Sequence, residues 1–188
     1  MSQENVDGVR QRLTVAPSSR RRLEERAGLR FPGVLALLAR LVLRLPPRSR
    51  LRQEAIRRAV QVGLEANNRR DFEAAYALYD PQVELVTESR LTALGFDRVY
   101  SGREERIRFQ QRWTAEWGEF QFAPEELVDL GDGRILVSGH IVGSGLSSGA
   151  AFDTYWAYIT TTSSAGRVIR EQFFFDRREA LEAAGLEE

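Results

Sequence analysis

The chain has 188 residues, and its 27 acids balance 27 basic residues, every one of them Arg. It has no Lys, no Cys and a single imidazole, His140. This excludes disulfides, thiolate nucleophiles, Cys-ligated metals, lysine Schiff bases, phosphate-loop lysines and multi-histidine metal sites. Carboxylates, Tyr, Arg and hydroxyls remain for chemistry.

Charge is unevenly placed. Residues 1–58 hold 14 of the Arg and 5 of the acids, and residues 59–188 hold 13 and 22. The pattern reads as a basic arm on an acidic body. The arm either docks on its own domain or meets a polyanion or a membrane surface.

In chain order, residues 1–30 are polar, carry the Arg20–Arg22 cluster, and are expected to be disordered or weakly helical. No early apolar run with a cleavage site is present, so a cytoplasmic protein is expected. Residues 31–50 form an amphipathic arm. Leu37, Leu38, Leu41 and Leu45 fall at helical spacing, and Arg40 and Arg44 lie on another face. That helix is too short and too charged to span a bilayer. It is suited to packing on the domain, joining a dimer or lying on a membrane surface.

Pro46-Pro47 separates the arm from a body at 51–188. Ile56, Ala59, Val60, Gly63 and Leu64 mark a first helix of the body, ending at Asn67-Asn68. Asp71 caps a short second helix carrying Phe72, Ala75 and Leu78. Residues 82–88 read as a strand and 89–101 as a long loop. Residues 103–117 read as a third helix with Phe109, Trp113 and Trp117 on one face. Strands follow at about 119–130, 134–143, 151–162 and 167–175, separated by Gly131-Asp132-Gly133, Gly143 to Gly149, and Ser163 to Gly166. Residues 180–186 form a helical turn. Helices segregated from an antiparallel meander mean α+β.

Several motifs occur in a known order. They are Asn68-Arg69-Arg70-Asp71-Phe72-Glu73, Tyr79-Asp80-Pro81-Gln82-Val83-Glu84, Tyr100-Ser101-Gly102-Arg103-Glu104, Gly131-Asp132-Gly133-Arg134 and Asp176 through Leu186. This ordered set resembles the SnoaL-like branch of the nuclear transport factor 2-like superfamily, over about residues 51–186. Arg70 departs from the family's usual Gly. The resemblance implies a cone-shaped α+β barrel, with three helices on the concave face of a curved, mostly antiparallel sheet.

The resemblance also implies where catalysis would sit. Positions matching the ketosteroid isomerase-like acid and base groups hold Gly63, Leu85 and Tyr155, so the base is missing. Positions matching the limonene epoxide hydrolase-like set hold His140, Val142 and Phe173, so that set is absent too. Polyketide cyclases of the SnoaL type match best in motif order and need no metal or cofactor.

Strand alternation supplies the remaining candidates. Asp153, Tyr155 and Ala157 share one face of their strand, and Phe152, Thr154 and Trp156 the other. Ile169, Glu171, Phe173 and Phe175 share a face. His140, Glu171 and Tyr155 are the candidate catalytic groups, since an imidazole beside a carboxylate can pass a proton and a buried Glu gains basicity. Glu171 paired with an Arg, or His140 as a core or interface residue, are the structural alternatives. Leu85, Trp113, Trp117, Asp153 and Phe173 are the candidate ligand contacts, with the Trp stripe also serving as a core seam. The glycines from Gly143 to Gly149 join two strands without the lysine a phosphate loop needs. The Arg clusters lack interleaved aromatics, so no nucleic-acid partner is expected.

The function expected is binding of a small, mostly apolar organic molecule in the cone, with cofactor-free cyclisation, isomerisation or hydrolysis as its catalytic form. The alternative is a non-catalytic ligand-binding or dimerisation module. A homodimer through the sheet face is expected, with Trp156 and Tyr158 as its surface seam.

Overall fold

The computed structural model describes residues 8–16 and 18–187. Seven strands form one curved sheet: β1 (Val9–Arg12), β2 (Tyr79–Val86), β3 (Val99–Ser101), β4 (Trp117–Asp129), β5 (Arg134–Gly145), β6 (Ala151–Thr162) and β7 (Val168–Phe174). Their order is β1-β4-β5-β6-β7-β2-β3. Every neighbouring pair is antiparallel except β2 with β7. The helices are α1 (Leu23–Arg30), α2 (Pro32–Leu43), α3 (Arg50–Asn68), α4 (Phe72–Ala75), α5 (Ser89–Ala93), α6 (Arg103–Ala115) and α7 (Arg177–Ala184).

Alternation along the strands builds two cores. Phe122, Leu127, Ile135, Val137, Ile141, Trp156 and Phe173 point inward to meet Ile56 and Leu64 of α3 and Phe109 and Trp113 of α6. Val128, Leu136, Ala157 and Ile159 point outward and are covered by Ala180, Leu181 and Ala184 of α7. Both faces are therefore apolar, and the hollow lies on the inner one.

Several elements differ from the sequence expectation. Within the segment expected to be disordered or weakly helical, Leu23–Arg30 is helical, but Val9–Arg12 pairs with β4 as an edge strand; residues 1–7 lie outside the described residues. Arginines decide this docking. Arg10 pairs with Glu126 at 3.0 Å, Arg21 with Asp71 at 2.5 Å, and Arg22 with Glu65 at 2.6 Å. Arg58 returns to Glu24 at 2.6 Å, and Arg69 binds Glu25. The basic arm thus meets acids and arginines of its own body. The helix α6 ends at Ala115, and Trp117 opens β4 instead of continuing the Phe109–Trp113 face. The strand β2 begins at Tyr79, and Pro81, which has no N–H to offer, falls where its pairing with β7 is irregular.

The arm helix α2 packs back over the domain, and two devices hold it. Arg52 is buried and donates to the carbonyls of Leu43 at 2.7 Å and Leu45 at 2.8 Å, carbonyls that the end of α2 leaves without helical partners. The same guanidinium grips Asp129 of β4 at 2.6 and 2.8 Å. At the opposite side, Gly166 of the β6–β7 turn has φ +81° and lies against the α2 backbone. A Cβ there would collide with the Ala36 carbonyl and come within 2.8 Å of the Arg40 nitrogen.

Candidate functional site

A cavity of about 260 Å³ lies between α2, α3 and α4 on one side and the inner face of the sheet on the other. Most of its wall is aliphatic. Leu35, Leu38, Val42 and Leu43 come from α2, and Ile56, Ala59, Val60 and Leu64 from α3. Ile135, Val168 and Phe173 close the sheet side. Gly63 sits at the wall within α3, where a side chain would take up space.

The polar groups gather into one network. Arg106 of α6 donates to both oxygens of Glu171 on β7, from Nε at 3.0 Å and Nη2 at 2.9 Å. Arg106 is 3 % exposed and Glu171 2 %. The remaining guanidinium nitrogen, Nη1, donates to Gln110 Oε1 at 2.9 Å, which also accepts from the Tyr76 hydroxyl at 3.1 Å. Asn67 donates to Tyr76 in turn at 2.9 Å. The guanidinium stacks 4.3 Å over the Tyr76 ring. Tyr79, Tyr158 and Thr160 line the cavity beside these groups. The Asn67 Oδ1 and Gln110 Nε2 atoms are buried without a hydrogen-bond partner among the described residues.

Burial sets the protonation of these groups. It pushes the Tyr76, Tyr79 and Tyr158 phenols well above the usual range, and the nearby Glu171 carboxylate adds to the shift. All three are therefore neutral hydrogen-bond donors. Burial alone would weaken the Arg106 charge, but Glu171 outweighs it and raises the Arg106 pKa. The site is a neutral ion pair with phenols around it, in an apolar hollow. Such a site can donate hydrogen bonds to a carbonyl-like acceptor. Its one lining carboxylate is held at both oxygens, so proton abstraction by Glu171 requires the Arg106 pair to open first.

The sequence candidates divide. Glu171 and Phe173 reach the cavity. His140, Asp153 and Tyr155 gather on the other face. The His140 Nδ1 meets Asp153 Oδ1, and its ring stands edge-on to Tyr155 at 6.4 Å. Tyr155 packs with the α7 cluster, so neither His140 nor Tyr155 converges with Glu171. Leu85 is fully buried in the core, and Trp113 packs among Phe109, Phe120 and Phe173. Trp117 lies on Phe152 at 4.3 Å, away from the cavity wall. Trp156 is fully buried and Tyr158 lines the cavity, so neither can form a surface dimer seam. The physical reason is the sheet's curvature: the Trp156–Tyr158 face is concave and covered by helices, and the Tyr155 face is the outer one.

Arg106, Tyr79, Tyr158, Asn67 and the whole α2 wall were not among the sequence candidates. A signal existed for Arg106, which stands three and seven residues before Phe109 and Trp113, on their helix face.

No family model and no curated protein matches the sequence. Solved structures do match, and the chain has the fold of the nuclear transport factor 2-like proteins. One such structure is an NTF2-like protein of unknown function from Burkholderia pseudomallei, 23% identical, with a TM-score of 0.57, covering 66% of this chain and 93% of its own. A second is TerC co-crystallised with polyporic acid, 22% identical, TM-score 0.56, covering 68% and 95%. A third is a hypothetical protein with a ketosteroid isomerase-like fold from Catenulispora acidiphila in complex with trimethylamine, 17% identical, TM-score 0.53, covering 69% and 93%.

Proposed function

We propose that this chain binds a small, mostly apolar organic molecule bearing a carbonyl-like hydrogen-bond acceptor, inside the cavity beneath α2. The observation that carries this reading is an aliphatic hollow whose polar groups cluster around Arg106–Glu171 and the Tyr79 and Tyr158 phenols. At about 260 Å³ the hollow lies just below the ~300 Å³ lower end of common ligand sites, so the molecule is compact. Complexes of TerC with polyporic acid and of the Catenulispora protein with trimethylamine support use of this fold for small molecules.

Binding stands ahead of catalysis. A cofactor-free cyclisation or isomerisation of the SnoaL type needs an acid or base free to exchange a proton. Glu171 is instead bound at both oxygens by Arg106. The His140–Asp153 pair, which has the chemistry for proton transfer, faces away from the cavity.

The test is a thermal-shift and tryptophan-fluorescence screen of compact aromatic ketones and quinones against hydrocarbons of equal size. Ketones and quinones should bind, and Tyr158→Phe should weaken them several-fold while His140→Gln leaves them unchanged. Equal binding of the hydrocarbons, or sensitivity to His140 instead of Tyr158, would overturn the assignment.

A further inference from the structure

The helix α2 has two apolar faces. Leu35, Leu38 and Val42 line the cavity. Around the helix from them, Val34, Leu37, Leu38 and Leu41 are 56%, 52%, 54% and 49% exposed, with Phe31 just before the helix at 54%. Leu38 belongs to both sets, so the exposed stripe runs unbroken to the cavity wall.

The charge along the segment that carries this stripe is of one sign. From Arg26 to Gln53 there are seven Arg and no acid. Arg52 is taken up inside the protein by Asp129. The other six, Arg26, Arg30, Arg40, Arg44, Arg48 and Arg50, are exposed and form no ion pair among the described residues. Arg44 stands three and seven residues after Leu41 and Leu37, beside the stripe.

We infer that this face of α2 docks on an anionic membrane surface. A second copy of the chain is the poorer occupant, because a two-fold contact would set one arginine-rich patch against another. Anionic lipid answers both properties at once: the leucines enter the interface and the arginines meet headgroup phosphates. The helix has 12 residues, about 18 Å, which is too short to cross a ~30 Å hydrocarbon core, so it lies in the membrane plane. If the cavity holds an apolar ligand as proposed above, this placement lets the ligand pass between bilayer and hollow beside Leu38. The docking itself does not rest on that reading.

The experiment is flotation of the full chain, without ligand, on phosphatidylcholine vesicles with and without phosphatidylglycerol. Wild-type protein should float with the anionic vesicles at low salt, lose binding at high salt, and bind neutral vesicles at least tenfold more weakly. Val34→Asp/Leu37→Asp/Leu41→Asp changes three exposed residues that do not line the cavity, and should abolish flotation while keeping the wild-type melting temperature. Arg40→Gln and Arg44→Gln should each weaken binding about fivefold. Flotation that is absent, or equal for wild type and the triple variant, overturns the inference. So does a wild-type dimer in sedimentation that the triple variant dissolves, which would assign the face to a second copy.

Discussion

Arg106 and Glu171 bind each other through two hydrogen bonds of 2.9 and 3.0 Å, one residue from a helix and the other from the strand it packs on. Both are almost fully withdrawn from water. Removing one partner leaves an uncompensated charge in an apolar wall. Arg106→Met or Glu171→Leu alone should therefore destabilise the fold by about 3–5 kcal/mol. The double variant keeps the volume and removes both charges, so it should recover most of that loss. Urea denaturation of the four proteins checks this; additive single losses would show that the two side chains act independently.

The phenols give a signature at high pH. Tyr76, Tyr79 and Tyr158 are held neutral in the fold by burial. An unfolded chain releases those protons near pH 10. Above that pH the folded state binds more protons than the unfolded state, so stability falls as pH rises. The contribution is fully present below pH 10 and is lost progressively above it. Absorbance at 295 nm should show these tyrosines ionising only as the protein unfolds. A titration completed near pH 10 with retained circular dichroism would contradict their placement.

Gly63 offers a gain. It lies in the interior of α3, where glycine costs about 0.5–1 kcal/mol relative to alanine. A Cβ there would have its nearest neighbour, the Ala75 carbonyl oxygen, at an ordinary 3.7 Å. Gly63→Ala should raise stability by about that amount. Because Gly63 is part of the cavity wall, the larger Gly63→Leu should displace a bound ligand while the helix persists. Melting temperature and ligand titration read the two effects separately.

The sequence made the two faces of each strand readable, but not which face is concave. Alternation correctly groups Asp153 with Tyr155, and Glu171 with Phe173. The choice between faces needs the sheet's curvature and the placement of α7. Here hydrophobicity cannot make that choice, because Ala157 and Ile159 under α7 are as buried as Trp156 on the inner side. Arg106 was hidden for a related reason: in a helix as charged as Arg103–Ala115, one more Arg reads as solvated. Only its phase with Phe109 and Trp113 separates it from Arg108 and Arg112. The cavity's roof was the least readable part, since α2 is apolar on two adjoining faces, and Arg40 and Arg44 do not show which of the two turns inward. Its docking depends on Arg52 and Gly166, which stand in other elements.

That dependence can be tested at Arg52. Its side chain joins the carbonyls of Leu43, the last residue of α2, and of Leu45 just beyond it to Asp129 on β4. Arg52→Met fills similar space but leaves those carbonyls without their donor and the buried Asp129 carboxylate with the Gly131 N–H alone, a loss of about 3–5 kcal/mol. The loss should be felt unevenly. Amide exchange should accelerate most over Pro32–Leu43, while β5 and β6 keep their protection. Restoring packing with Arg52→Met/Asp129→Leu should recover global stability more fully than the protection of α2, because the carbonyls of Leu43 and Leu45 still lack a donor. Uniform acceleration across the sheet in the single variant would mean that α2 is an integral part of the cooperative core, not a separately held roof over the cavity.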